Sequence, residues 1–254
     1  MTCEIVIRKA RAEDEPFRAA LIRGSFASYH RDAFFLFFFQ ELTLQAGVLC
    51  GAVLFIFCGA ALRSLLLVPL ALAAAVAASV YVAHAALADK RVQEMRKEAV
   101  GFVAEYHGPL PADPRLLRPA VLLEEEWTPH HKGPVHTQVV GTASVSELWG
   151  PQRAGWLHSL AVHDDDDDSW RGRGAGSCLV RAARVWAAAR RWAALHARLS
   201  ELQPAAGRTL RAAGFRARAA GCRRLLGPHL TLALSHLVLD LATTHADADA
   251  ECRH

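Results

Sequence analysis

Apolar and polar positions change rhythm several times along the chain, and each change predicts an element. Glu4 to Arg8 alternates around β-branched residues, the period of a short strand. Ala12-Glu13-Asp14-Glu15-Pro16 places acids and a proline where a helix begins. Phe17, Leu21, Ile22 and Phe26 then recur at helical spacing and are expected to share one face. Phe34 to Phe39 is nearly all aromatic and suits either a domain core or an aromatic belt at a membrane surface. The belt is preferred because of the next stretch. From Leu42 to Ala88 the one formal charge is Arg63, and the run is long enough for two spans of about 20 residues. Spans are expected at Leu42–Leu62 and Ser64–Leu87, with Arg63 in the connection, because an arginine at a bilayer centre costs about 2.5–3.5 kcal/mol. A re-entrant hairpin in one leaflet fits the same pattern. Either way both ends emerge on one side, which Lys90, Arg91, Arg96 and Lys97, helped by Arg31, mark as cytosolic.

Further on, Asp89 to Tyr106 is charged and amphipathic, and a helix is expected there until Gly108-Pro109-Leu110-Pro111 breaks it. Pro119–Glu126 and Thr137–Leu148 read as strands joined by a polar hairpin loop, and Gly155–Val162 as another. Five aspartates, Asp164 to Asp168, repel one another and should stand in water. Arg171-Gly172-Arg173-Gly174-Ala175-Gly176-Ser177 follows, then a helical segment, Cys178 to Trp192. Ala193–Leu199 reads as a strand, Pro204–Ala213 as a short helix ending at Gly214-Phe215, and Cys222–Leu226 and His229–Leu241 as tail strands. The last, holding His236 and Asp240, is too short and too polar for a third span.

Composition narrows the chemistry. A net charge of +4 over 254 residues is modest, and its basic residues are dispersed, so nucleic-acid binding is not expected. The apolar fraction, 52%, is raised by the hairpin. Six cysteines show no C-x-x-C spacing and read as free, buried thiols of a reducing compartment. The charged N-terminus and late apolar run argue against a cleavable signal peptide. His130, His131 and His136 have no acid or cysteine at ligand spacing, so no metal is expected. The arginine–glycine turn is the exception to this plainness. Three glycines in five residues let backbone amides approach a ligand. A helix starting there adds unpaired N–H groups and a positive dipole end, and Arg171 and Arg173 add forked cations. Together they form a seat for a phosphate or pyrophosphate. No Gly-Lys-Ser/Thr follows, and the glycines are not in the G-x-G-x-x-G frame. A glycine-rich connection that binds nothing is the plain alternative.

The frame that fits is Arg-x-x-Gly-x-Gly, Arg171 to Gly176, between a strand and a helix. It resembles the acetyl-CoA pyrophosphate loop of the GNAT acyltransferases. So do Val139-Val140-Gly141-Thr142-Ala143 as a third strand, Gly155–Val162 as a fourth, the Ile7-Arg8-Lys9-Ala10 opening and the helix before Gly214-Phe215. With a hairpin after the first helix, the order resembles the camello-type, membrane-anchored N-acetyltransferases. The resemblance implies an α+β fold, a three-layer GNAT domain with a mixed, mostly antiparallel sheet flanked by helices and an inserted transmembrane hairpin. It divides the chain into residues 1–40, first strand and helix; 41–88, membrane hairpin; 89–243, the rest of the transferase domain; and 244–254, a polar tail. It also implies acetyl-CoA as cosubstrate, no metal cofactor, and an endoplasmic reticulum membrane location with the catalytic domain facing the cytosol. The acceptor would be a primary amine on a small amino-acid conjugate or a protein lysine, and the partner a lipid bilayer. Oligomeric state is left open, a homo-oligomer included.

By the same resemblance, Arg173, Gly174, Ala175, Gly176 and Ser177 would give amides to the pyrophosphate, with Arg171 as a charged partner. Backbone groups of Leu160, Ala161 and Val162 would hold the pantetheine arm, one of them facing the oxyanion. His158 is the ionisable candidate for a base, against an equal reading as a structural histidine. Glu201, and Glu124 to Glu126, are further candidates, each of which reads first as a surface carboxylate. Where the family usually has a tyrosine to protonate the leaving thiolate, this chain has Leu210 beside Thr209. The alternatives to an active enzyme are a catalytically inactive membrane protein that keeps the fold as an interaction module and, with little support, a transporter built on the hairpin.

Overall fold

The computed structural model describes residues 3–59, 61, 67–108, 119–128, 136–150, 153–164, 169–226 and 230–241. Alternating residues build an eight-stranded sheet: β1 (Glu4–Lys9), β2 (Val100–Gly108), β3 (Ala120–Leu123), β4 (His136–Leu148), β5 (Ala154–Val162), β6 (Ala194–Ser200), β7 (Arg216–Leu226) and β8 (Leu230–Asp240). Their order is β3-β1-β2-β4-β5-β6-β8-β7. Neighbours pair antiparallel except β1 with β3 and β5 with β6, which are parallel. The helices are α1 (Glu15–Ala27), α2 (His30–Phe38), α3 (Glu41–Cys58), α4 (Leu67–Met95), α5 (Ala175–Ala189) and α6 (Pro204–Ala212).

One face of the sheet is closed by α5, whose Leu179, Val180 and Ala183 are wholly buried with Ile5, Phe102, Val140 and Leu157. α1 lies against β4 and β5 and also against α4. Ala19 and Ile22 of α1 meet Val92 and Met95 of α4 in a separate apolar cluster. The joint is locked by Arg18, 4% exposed. It donates to both Glu98 oxygens at 2.6 and 2.7 Å, to Thr142 Oγ1 at 2.9 Å and to Ser144 Oγ at 3.0 Å. A buried cation is tolerated only when so fully paired. The result is a three-layer mixed α/β fold.

Two apolar helices, α3 and α4, occupy the stretch where the hairpin is expected. α3 has no buried residue, α4 has five, and both are long and apolar enough to cross a membrane. They touch closely: a Cβ on Gly47 would lie 3.0 Å from Leu72 Cδ2. Arg63 lies outside the described residues. The helix itself runs on past the second expected span, Ser64–Leu87, to Met95, and Val80, His84, Ala88, Val92 and Met95 form a buried stripe along it at helical spacing. An all-apolar helix can serve lipid and protein at once, so the pattern hid where one ends. Phe17 departs from its expected face, 60% exposed, and Arg18 takes the inward position.

Three expectations are corrected. The helix expected over Asp89–Tyr106 stops at Met95, and Val100–Gly108 is β2, a strand flanked on both sides. Glu105 disguised it; that carboxylate accepts from Arg8 at 2.7 Å, and its pKa is pushed down to about 2 by its bond with His107 and then by Arg8. Next, β3 ends at Leu123, and Glu124–Glu126 form a 3-10 turn. β3 is the sheet edge, two strands from β4, so no hairpin joins them. Lastly, of the described cysteines none is buried: Cys3 and Cys178 are half-buried, and Cys50, Cys58 and Cys222 exposed. Cys50 and Cys58 ride on the uncovered α3.

Candidate active site

β5 and β6 pair only from Ala154–Leu157 against Ala194–Ala197. Beyond Leu157 they part. The cause is local: β5 carries one extra residue between Ala161, opposite Thr142, and His158, opposite Ser144. Such a bulge bends a strand and tightens its twist. Ser159 absorbs the bend in the left-handed region at φ 52°. His163 donates to Val140 O at 2.8 Å and Ala161 stands opposite Thr142. Backbone direction alternates along a strand, so Val162 turns its amide and carbonyl to the open side.

A cavity of about 830 Å³ occupies the parting. β5 gives it His158, Leu160 and Ala161, and β6 gives it Ala197 to Ser200. The opposite wall is α4, through His84, Leu87, Lys90, Arg91 and Glu94, with Tyr29 at the α1–α2 junction. Leu210 of α6 is buried against it, and the adjacent Thr209 spends its hydroxyl on Ala205 O at 3.2 Å. Thus α6 offers no phenol, as its sequence implied. Among the described lining residues the one tyrosine is Tyr29, which sequence reasoning missed.

The arginine–glycine turn stands beside this cavity rather than in its wall. Gly172 and Gly174 have φ of 78° and 86°, and Gly174 caps α5. A side chain at either would be strained. The first intrahelical bond is Cys178 N–H to Gly174 O, 3.0 Å. The amides of Arg173, Gly174, Ala175, Gly176 and Ser177 find no acceptor among the described residues. They are gathered at the helix tip, as expected. Arg173 lays its guanidinium 4.9 Å from the centre of the Trp170 ring, and its Nη1 is buried without a partner among the described residues. Five open amides and an orphaned guanidinium nitrogen fit a diphosphate. A Cβ on Gly176 would lie 3.8 Å from Val162 Cγ2 and 3.9 Å from Thr209 Cγ2, which places the tip against the open end of β5.

Arg171 is less free than expected. It pairs with Asp164 Oδ2 at 2.7 Å, donates to Ser28 Oγ at 3.1 Å and covers the Tyr29 ring at 5.6 Å. Asp164, expected to stand in water, turns inward to this arginine and accepts from Ser169 at 2.7 Å. Asp165 to Asp168 lie outside the described residues, as do His130 and His131. His136 opens β4, and no cluster of three metal-binding side chains occurs among the described residues.

His158 is on the cavity and 7% exposed. Its Nε2 is 2.8 Å from Ser146 Oγ and its Nδ1 2.9 Å from Ser159 Oγ. Burial, followed by the charge of Arg91, pushes its pKa down to about 4. It is therefore neutral near pH 7, good at orienting two hydroxyls and a weak store for a proton. Glu201 is placed elsewhere. Its Oε1 accepts from Ala233 N–H at 3.1 Å and so joins the β6 turn to β8. Glu126 faces Arg181 at 3.7 Å, at the other end of the sheet. Neither meets the cavity, because each carboxylate has a local partner that holds it away.

Residues 93–215 match the sequence profile of the acetyltransferase (GNAT) family. The match begins below the hairpin and includes the turn and Phe215. No curated protein matches the chain. Similar solved structures include an IAA acetyltransferase from Bacillus cereus, 15% identical over 60% of this chain and 81% of its own, with a TM-score of 0.37. An N-acetyltransferase from Staphylococcus aureus is 10% identical over 94% and 98%, TM-score 0.44. A Bacillus subtilis acetyltransferase in complex with CoA is 13% identical over 60% and 83%, TM-score 0.39.

Proposed function

The chain carries an acetyltransferase domain of the GNAT family, and we propose that this domain is a working acetyl-CoA-dependent N-acetyltransferase held at a membrane by α3 and α4. One observation carries the reading: at the tip of α5, set against the open end of β5, are amides and a buried Arg173 nitrogen that have no partner among the described residues. When bound, acetyl-CoA supplies an acetyl group on a sulfur able to depart as thiolate. The transfer makes one N–C bond, breaks one C–S bond and moves one proton from nitrogen to sulfur.

This chain's residues divide the work. Arg173 to Ser177 bind the diphosphate, and Arg171 joins them on leaving Asp164. Of Leu160, Ala161 and Val162, Ala161 is held to β4, and its neighbours present the open edge of β5 to the pantetheine arm and polarise the carbonyl through an amide. The acceptor amine enters from the α4 side. His158, neutral and fixed, holds Ser146 as the first stop for the amine proton. Tyr29, the one tyrosine among the described lining residues, is the candidate to protonate the departing sulfur, in place of the hydroxyl that Leu210 lacks.

The acceptor is a primary amine on a small amino-acid conjugate or a peptide lysine. Lys90, Arg91, Arg96 and Lys97 at the foot of the hairpin support a cytosolic domain, and the camello-type resemblance supports the endoplasmic reticulum. Leu210 favours a second reading, a domain that binds CoA and does not turn over. Purified full-length protein, acetyl-CoA and a panel of amines, followed by free thiol release, decide between them. Release with any amine supports the enzyme. CoA binding without release supports the module, and no CoA binding sinks both. Protease protection of tags near Arg63 and at His254 reads the topology: protection of the Arg63 tag alone fits the hairpin.

A further inference from the structure

The wall opposite β5 is one continuous helix that begins in the uncovered hairpin. His84, Leu87, Arg91 and Glu94 lie at i, i+3, i+7 and i+10, one face of α4, and all line the cavity. Upstream on the same helix, Leu67, Leu70, Tyr81 and Val82 are more than 60% exposed, with no protein to cover them. The first charges of α4 are Asp89, Lys90 and Arg91. A bilayer that covers the exposed apolar positions therefore ends near Leu87. From His84 to Glu94 the wall rises about 15 Å at 1.5 Å per residue, so the cavity straddles that level. Its end below the charges is apolar and aromatic, with Leu87 of α4 and Phe26 of α1, whose ring centre lies 6.2 Å from that of His84. Its other end is polar, with Ser146, Glu147, Glu94 and Lys97.

A site for a water-soluble amine alone has no use for an apolar extension toward lipid. We propose that the acceptor is an amphiphilic primary amine drawn from the bilayer, its nitrogen at His158 and the open edge of β5 and its hydrocarbon chain along Phe26 and Leu87. The inference rests on the acetyltransferase reading and names its substrate class. The bilayer both concentrates the acceptor and supports the wall that reads it.

The test uses full-length protein in phosphatidylcholine nanodiscs, with n-alkylamines from propylamine to dodecylamine and thiol release as readout. kcat/KM is expected to climb with chain length, by at most about fourfold per methylene, the full transfer preference of a CH2 group. For dodecylamine the rate should follow mole fraction in the disc rather than bulk concentration. Leu87→Gln should flatten the chain-length slope, with CoA binding by the same variant confirming that it is folded. Equal kcat/KM for propylamine and dodecylamine overturns the inference and leaves the enzyme standing. A slope untouched by Leu87→Gln also overturns it, since the chain then runs elsewhere. No release with any amine removes both readings.

Discussion

Gly176→Leu separates folding from cofactor binding at one residue. Gly176 has ordinary helical dihedrals, unlike Gly172 and Gly174, so a side chain there meets no backbone penalty. Its Cβ would make ordinary contacts with Val162 and Thr209. Replacing a helical glycine gains up to about 1 kcal/mol, so the variant should melt at or slightly above the parent temperature. Ligand binding should move the other way. The leucine projects between the end of β5 and α6, across the open amides. A hydrogen bond to a charged group is worth about 1.5–3 kcal/mol. Loss of two costs about 3–6 kcal/mol, or roughly 100- to 10,000-fold in Kd. Calorimetric titration of CoA into both proteins, beside a thermal melt, makes the measurement. A folded Gly176→Leu protein that binds CoA within a few-fold of the parent would show that the diphosphate sits elsewhere.

Asp164→Asn should free Arg171 and tighten CoA by about two- to fivefold, the worth of a partly exposed ion pair. The gain should fade in high salt, and a weaker Kd would show that Asp164 braces the turn instead. For His158 the folded pKa, about 4, lies below the ordinary 6.5. The unfolded chain therefore takes up a proton as pH falls through 6.5 that the folded chain refuses until about 4. Stability present above pH 6.5 should decline by about 3 kcal/mol on reaching pH 4. Urea melts at pH 7 and 4.5 should show a smaller difference for His158→Gln; an equal difference would assign the loss to other groups. Tyr29→Phe keeps the ring under Arg171 and removes the hydroxyl, so kcat should fall about 100-fold with CoA affinity unchanged. An unchanged kcat would retire the proton-donor role.

The turn was legible in the sequence because everything it needs is local. Glycines, arginines and the amides of the first helical turn lie within seven consecutive residues, and the structure gathers them as expected. Arg171 was misread in part, because Asp164, Ser28 and Tyr29 reach it from segments that the motif does not contain. β2 was misread for the same kind of reason. Glu105 looks like a solvated helical charge until Arg8 of β1 pairs with it on a strand and His107 lies beside it. Glu201 looked free until Ala233 claimed it.

By itself the sequence determined the arginine–glycine turn at a helix tip, the long apolar run and the succession of strand, turn and helix after it, since each follows from neighbours in the chain and its periodicity. Only the tertiary structure decided the cavity, where α4 passes from exposed apolar helix to protein wall, and the burial that holds His158 uncharged. These depend on which distant surfaces meet: a bulge that turns β5 from β6, and a buried arginine that draws α1 and the end of α4 onto β4. Pairing across 80 or 126 positions, as in Arg18 with Glu98 and Ser144, leaves no periodic trace in a chain.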